Sequence, residues 1–291
     1  MTILVTGSTG RVGAEIIKHL ASSGAAIRAL TRSPEKAEFP AGVTPVAGEL
    51  QDPDAMRAAL AGVGTLFLLA PNVPDELTQI VNTLGLAREA GVKGIVYLSV
   101  VRADAYTDVP HFTAKHAAER MIEQFDLPAT ILRPSYFFQN DLQLKGALTG
   151  AGLYPTPIGG KGVSMIDVGD IAEAAAIELL RRDRAAGPLP RELFELSGPD
   201  ALTGSALAAI WTEVLGRPVR YGGDDLAAFE AQLKSKAPGW LAYELRQMFR
   251  RYQEDGAVAT AAEVERLTKL LGCAPRRYRD FAAEAAKSWQ G

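Results

Sequence analysis

Three glycines spaced three apart, Gly7, Gly10 and Gly13, follow directly on the apolar run Ile3-Leu4-Val5 in the stretch VTGSTGRVG. Glycine weakens strand and helix interiors alike, so three of them so close together need a reason. A hand-over from a first strand to a first helix supplies one. The opening N–H groups of a helix lack backbone partners and the helix dipole is positive there, so an anion fits. Gly7 permits the tight turn, Gly10 lets a pyrophosphate approach the backbone, and Gly13 lets the helix lie close to the sheet. The other reading is a tight turn with no ligand, but the spacing falls at the point of a first βαβ unit where a dinucleotide fingerprint belongs. Ser8, Thr9, Arg11 and Val12 complete this candidate cofactor loop.

The rest of the first half repeats the strand-helix rhythm. Short apolar runs at Ile3-Thr6, Ile27-Thr31, Val43-Ala47, Leu66-Ala70, Ile95-Ser99 and Ala129-Leu132 read as strands. Between them Arg11-Ser22, Pro53-Leu60, Glu76-Glu89 and Thr113-Phe125 read as helices. This alternation predicts an α/β fold, a Rossmann-type doubly wound parallel sheet with helices on both faces. After about Gly150 the rhythm changes. A Gly/Pro-rich loop, GAGLYPTPIGGKG, leads into VSMIDVGDIAEAAAIELL, a strand turning into a helix capped by Asp167 or Asp170. Phe194-Leu196 is one more short strand, and five helical patterns follow: Ser205-Leu215, Asp225-Leu233, Gly239-Gln253, Ala261-Leu271 and Tyr278-Ser288. The expected organisation is a Rossmann domain over 1–155, to which 163–182 returns, and a smaller, mostly helical substrate region over 156–291.

Composition narrows the function classes. With 47% hydrophobic and 22% charged residues in 291, a large core is available and disorder is not expected. A net charge of -3 and no long Lys/Arg run argue against nucleic acid. No apolar run approaches the ~20 residues of a membrane span. The single cysteine, Cys273, cannot form an internal disulfide, which fits a reducing compartment. With the first strand read at the very start and no leader pattern ahead of it, the expectation is a soluble cytoplasmic protein, monomer or homodimer, acting on a small molecule.

The end of strand two bears on the cofactor. An NAD site usually carries an acid there for the ribose 2′-hydroxyl. Here the segment is LTRSPEKA, with Arg32 in that place and Arg11 able to close on the same spot. Two guanidiniums suit a 2′-phosphate, so NADP(H) is expected over NAD(H); two solvated surface arginines are the alternative. Glu49, Leu50 and Gln51 fall where adenine would lie, and Ala70, Pro71 and Asn72 where the chain would pass under the ribose and nicotinamide, although either stretch could be an ordinary strand-end turn. No metal-ligand cluster is evident: the histidines are His19, His111 and His116.

At the reacting end, Ser99 closes strand five, and His111 and Lys115 follow four apart, on one face if the helix has begun by His111. Here the chain resembles the short-chain dehydrogenase/reductase superfamily, and within it the atypical NmrA-like group of quinone, azo-dye and triphenylmethane-dye reductases and NADP-sensing regulators. The resemblance rests on TGSTGRVG, GELQDPDAMRAALAGV, AREAGVKGIVYLS, FDLPATILRPSYFFQN and IDVGDIAEAAA, and covers nearly the whole chain. The superfamily pattern of Ser, then Tyr-x-x-x-Lys, implies a catalytic Ser99 and Lys115, with His111 in the tyrosine position. That departure puts the tyrosine proton relay in doubt. Hydride addition to a quinone, an iminium or a dye cation leaves a weakly basic or neutral product, for which a histidine, with an ordinary pKa near ~6.5, suffices. Lys115 is implied to hold the nicotinamide ribose, Arg133-Pro134 to support that half of the cofactor, and Tyr136, Phe137 and Phe138 to line the substrate side. Tyr106 is a spare proton donor. Bland readings stand beside each: a helix-start His111, a solvated Lys115, a strand-capping Ser99, core packing for Phe137 and Phe138. Trp211, Trp240 and Phe249, at helical spacing, read as core. The expected activity is an NADP(H)-dependent reductase of a small conjugated substrate, with no flavin and no metal; the alternative is a non-enzymatic NADP(H) sensor.

Overall fold

The computed structural model describes residues 1–290. Six strands, β1 (Thr2–Val5), β2 (Ala26–Thr31), β3 (Val43–Ala47), β4 (Val63–Leu68), β5 (Gly94–Leu98) and β6 (Ala129–Pro134), alternate with α1 (Arg11–Ala21), α2 (Pro53–Leu60), α3 (Glu76–Glu89) and α4 (Pro110–Gln124). Then come β7 (Leu153–Tyr154), α5 (Val168–Arg184), β8 (Glu192–Leu196), α6 (Gly204–Leu215), β9 (Arg220–Tyr221), α7 (Leu226–Lys234), α8 (Gly239–Glu254), α9 (Ala261–Leu271) and α10 (Tyr278–Gln290). The main sheet runs β3-β2-β1-β4-β5-β6-β8. Pairing is parallel from β3 across to β6. The order reverses between β1 and β4, and in such sheets the crevice at the strands' carboxyl ends opens at this switch point. Pro45, which cannot donate to a ladder, sits on the edge strand β3.

The chain divides into two compact units. The first comprises Met1–Ala103, His111–Arg133 and Val168–Glu195; the second comprises Asp104–Pro110, Pro134–Asp167 and Leu196–Gly291. Against the expected 1–155 and 156–291, residues 134–155 fall in the second unit, and the segment returning to the first is Val168–Glu195, which carries β8 as well as α5.

In the first unit β4, β5 and β6 are buried on both faces, as a sheet covered on both sides requires, while β3 lies at the exposed edge. One face packs Leu4, Leu30, Leu66, Leu68, Tyr97 and Ile131 against Met56 and Leu60 of α2, Ile80 and Leu84 of α3, and Ala118 and Ile122 of α4. On α1, Ile16, Ile17 and Leu20 are buried, and α1 packs along α5. α2 starts sharply because Asp52 accepts the N–H groups of Asp54 and Ala55 and Pro53 presets the first turn.

In the second unit β7 and β9 form a two-residue parallel pair. The expected strand at the start of VSMID is instead a run of isolated bridges, Val163 to Leu202 and to Ala257, and Ile166 to Phe137. Trp211 is buried, donates its indole N–H to the Tyr278 hydroxyl at 2.8 Å and stacks on Trp289 with centroids 5.1 Å apart. Phe249 is also buried. α9 opens on a capping box between Thr260 and Glu263.

Candidate active site

In the first unit, a crevice of about 610 Å³ opens beside the turn after β1. Its wall takes Gly7, Thr9 and Gly10 from that turn, Thr31 and Arg32 from the end of β2, Gly48, Glu49, Leu50 and Gln51 after β3, and Leu69, Ala70, Pro71 and Val73 after β4. A second hollow of about 430 Å³ adjoins Arg32, Gly48, Glu49 and Asp52. Both lie at the carboxyl ends of neighbouring parallel strands, the first at the switch point between β1 and β4 and the second beside β2 and β3.

The three glycines serve three separate needs. Gly7 has φ of 61°, in the left-handed region that L side chains avoid. Gly10 sits at φ -81°, ψ 170°, open to any residue, and a Cβ there would meet only the Gly7 carbonyl oxygen, at 3.1 Å. Gly10 lines the crevice, and a Cβ there would press on the Gly7 carbonyl oxygen as well as enter that space. A Cβ on Gly13 would stand 2.2 Å from that same oxygen, so α1 can begin here only if position 13 has no side chain.

Other residues fix the turn from behind. The Ser8 hydroxyl donates to the Leu30 carbonyl at 2.6 Å, and Ser8 is fully buried. Val12 is core. The Thr6 hydroxyl accepts the Leu69 N–H at 2.8 Å, tying the end of β1 to the end of β4. On the crevice wall, Gln51 and Gln79 both donate to Asp75, at 3.1 Å each. Arg11, Arg32 and Asn72 are exposed. Of the residues expected to hold a cofactor, Gly7, Thr9, Gly10, Arg32, Glu49, Leu50, Ala70 and Pro71 therefore line the crevice, whereas Ser8, Val12 and Gly13 shape it from within the protein. Arg11, Asn72, Lys115 and Pro134 are not on that wall. Val73 and Gln79 join the wall from beyond the LAPN stretch.

α4 begins at Pro110, so His111 and Lys115 do lie one turn apart on a formed helix. His111 is half-buried, its ring edge-on to Phe112 at 4.7 Å. The Lys115 ammonium lies 2.7 Å from Oε1 of Glu76, an acid in the first turn of α3 that is 3% exposed. Ser99 is turned elsewhere: its hydroxyl donates to Glu119 Oε1 at 2.5 Å. Glu119 is fully buried and takes a two-pronged hydrogen bond from Arg133, at 2.9 and 2.6 Å, and Arg133 reaches Glu195 at 3.0 Å. Burial alone pushes the Arg133 guanidinium down, but Glu119 and then Glu195 more than offset it, so Arg133 stays firmly charged. Arg133 is thus spent inside the first unit.

In the second unit Tyr136 and Phe137 are partly exposed and Phe138 is buried, with Tyr278 and Phe281 rings 5.2 and 5.7 Å away. Tyr136 packs on Phe249 and Tyr252. Burial foremost, then the Asp141 charge, raises its phenol well above the ordinary value. Tyr106 is buried and gives its hydroxyl to the Gly256 carbonyl. Asp141, fully buried, accepts the hydroxyls of Tyr154 at 3.0 Å and of Tyr278, and burial raises its carboxyl to about 7.

Among the described residues no helix is long and apolar enough to cross a membrane, and no group of three or more His, Cys, Asp or Glu could hold a metal.

Comparison with known proteins gives a consistent result. The profile of the NmrA-like family matches residues 1–282. An NAD(P)H azoreductase of Xenophilus azovorans is 30% identical, with 99% of each chain covered. The (4-alkanoyl-5-oxo-2,5-dihydrofuran-3-yl)methyl phosphate reductase of Streptomyces griseus is 32% identical, again over 99% of both. Among solved structures, the NADPH-dependent quinone oxidoreductase QOR2 of Escherichia coli, complexed with NADPH, superposes with a TM-score of 0.85 at 28% identity, covering 99% of this chain and 100% of that one.

Proposed function

Because the chain belongs to the NmrA-like family, we propose that it is an NADP(H)-dependent oxidoreductase that reduces a small conjugated acceptor of the quinone, azo, iminium or dye-cation type. The observation that carries the reading is the crevice: a glycine turn whose middle position is left bare toward the space, with Arg32 and no competing acid at the end of β2. The similarity to an azoreductase and a quinone oxidoreductase supports the choice of acceptor.

The residues fit the group. The turn Gly7–Gly10 and the start of α1 would take a pyrophosphate, and Arg32 with Arg11 the 2′-phosphate. Glu49 and Leu50 would flank the adenine, and Ala70, Pro71, Asn72 and Pro134 the ribose and nicotinamide half. Lys115 would hold ribose hydroxyls. When bound, the nicotinamide supplies hydride directly, with no flavin or metal in the reading. His111 then serves to place the acceptor or to hand a proton to the reduced product, a modest task for acceptors whose products are weak bases. We assign Ser99 to the Glu119–Arg133 network that braces α4 against the sheet, rather than to the reacting atoms. Tyr136 and Phe137 would offer a flat apolar wall to a conjugated substrate, whereas Phe138 packs on Tyr278 and Phe281 and Tyr106 on Tyr252. The lone cysteine, Cys273, exposed and unbridged, supports a cytoplasmic setting.

NADPH oxidation followed by absorbance against a panel of one quinone, one azo dye and one triphenylmethane cation tests the reading; turnover of at least one is expected. His111, where the superfamily pattern has tyrosine, favours one second reading, a nucleotide sensor. Tight NADPH binding with no turnover across the panel would select it.

A further inference from the structure

Lys115 and Glu76 meet as a nearly enclosed ion pair, 2.7 Å apart, with side chains 12% and 3% exposed. Nothing in the sequence marks Glu76 for this. An acid in the first turn of a helix is ordinarily a solvated residue favoured by the dipole. Here it is buried, and neither of its carboxylate oxygens has a hydrogen-bond partner among the described residues, so the contact of Oε1 with Lys115 is an ion pair without hydrogen-bond geometry. Burying a carboxylate is costly unless an opposite charge compensates, and Lys115 is the cation placed to do so. Its other polar neighbour is Tyr97, whose phenol is pushed well above its ordinary value, by burial first and then by the Glu76 and Glu119 charges, and so stays neutral. Tyr97 adds only a long contact, 3.5 Å, to the Lys115 carbonyl.

The pair also spans two functional elements. α3 carries Gln79 on the crevice wall, and α4 carries His111. A lysine side chain has four rotatable methylenes and loses much rotamer freedom when it must hold one position. A fixed counter-charge removes that freedom before any ligand arrives, the essence of preorganisation. The ammonium has three N–H donors. The contact with Glu76 holds the ammonium by charge rather than by a directed hydrogen bond, which leaves donors for the two hydroxyls of a vicinal diol.

We propose that Glu76 is a positioning residue that fixes the Lys115 ammonium by its charge and leaves the N–H donors for the ribose hydroxyls of NADP(H). This rests on the reading of Lys115 given above.

The test is a double-mutant cycle on the NADPH dissociation constant, measured by fluorescence titration of the full chain without acceptor. Glu76→Gln, nearly isosteric but uncharged, should weaken NADPH about tenfold, the scale of one charge-assisted hydrogen bond. In a Lys115→Met background the same substitution should change it by less than about twofold, because its target is gone. A purely structural Glu76 would cost the same in both backgrounds, and that result, or no loss in either, overturns the proposal while leaving Lys115 its role. If Lys115→Met itself binds NADPH like the parent, or the parent does not bind it, the reading of Lys115 falls and the proposal with it. Should Glu76→Gln not melt cooperatively, Glu76→Asp carries the same test: it keeps the charge on a shorter stem, so a smaller loss is expected in the parent and none beside Lys115→Met. Equal losses in the two backgrounds would again overturn it.

Discussion

A Cβ on Gly13 would stand 2.2 Å from the carbonyl oxygen of Gly7, whereas one on Gly10 would press on that oxygen at 3.1 Å, a contact that a small shift relieves. The two glycines are therefore separable by experiment. Gly13→Ala forces backbone apart at the start of α1 and should cost about 2 kcal/mol or more in urea unfolding. Gly10→Ala should unfold near the parent's midpoint yet bind NADPH more weakly, because its methyl enters the crevice. An unfolding loss at position 10 as large as at position 13 would show that the turn is shaped for the fold alone.

Arg32→Ala bears on cofactor choice. Loss of one guanidinium from a 2′-phosphate should weaken NADPH about tenfold or more and leave NADH nearly unchanged. Parallel titrations of both nucleotides decide it, and equal affinities in the parent would remove the basis for an NADP(H) preference.

At the reacting end, His111→Phe should slow turnover by no more than the ~10²–10⁴-fold usual for proton-transfer help. The loss should be small with a quinone and larger with a simple ketone, whose alkoxide product needs a proton. Lys115→Met should slow both. Steady-state rates with one acceptor of each kind check this; parent-like rates for both variants would move attention to Tyr136.

Glu119→Gln removes the negative charge that holds Arg133, which is 4% exposed. Glu195 still pairs with Arg133 at 3.0 Å, so the loss should stay below that of a fully stranded buried charge, at about 1–3 kcal/mol, read as a fall in the urea midpoint. A change under about 1 kcal/mol would mean that water reaches the guanidinium.

Asp141 has its carboxyl raised to about 7 in the fold, from a reference of 3.8. The folded protein thus binds a proton over that interval that the unfolded chain has already released, so this residue's contribution is largest below about pH 4 and is lost as pH rises through 7. Asp141→Asn, which cannot ionise, should remove that component. The difference in unfolding free energy, variant minus parent, should climb between pH 4 and 7 and flatten above. A difference independent of pH would show that Asp141 titrates normally.

How much of this was open to reading depended on the range of the cause. α2, α3 and α9 begin and end where apolar periodicity and short-range helix starts put them: Asp52 with Pro53, and the box between Thr260 and Glu263, act within four residues. The glycine turn is equally local. β7 and β9, two residues each, carry no period to detect, and Val163 pairs in single bridges rather than a ladder. Ser99 looks free at a strand end, but its partner Glu119 lies two turns beyond His111 on the outward-reading pattern of α4. Glu76 was invisible for the same reason: burial is set by what α4 lays over it.

The way the chain weaves between its two units has a consequence for synthesis. It leaves the first unit after Ala103, returns at His111, leaves again after Arg133 and returns at Val168. The helix that packs along α1 is thus translated about half a chain later than α1 itself. Until α5 emerges from the ribosome, the nascent β1–α1 segment lacks its neighbour, and no protease cut at a single position separates one unit from the other. The first unit is therefore complete only once Glu195 has been made, so its core cannot close until roughly two thirds of the chain has been translated.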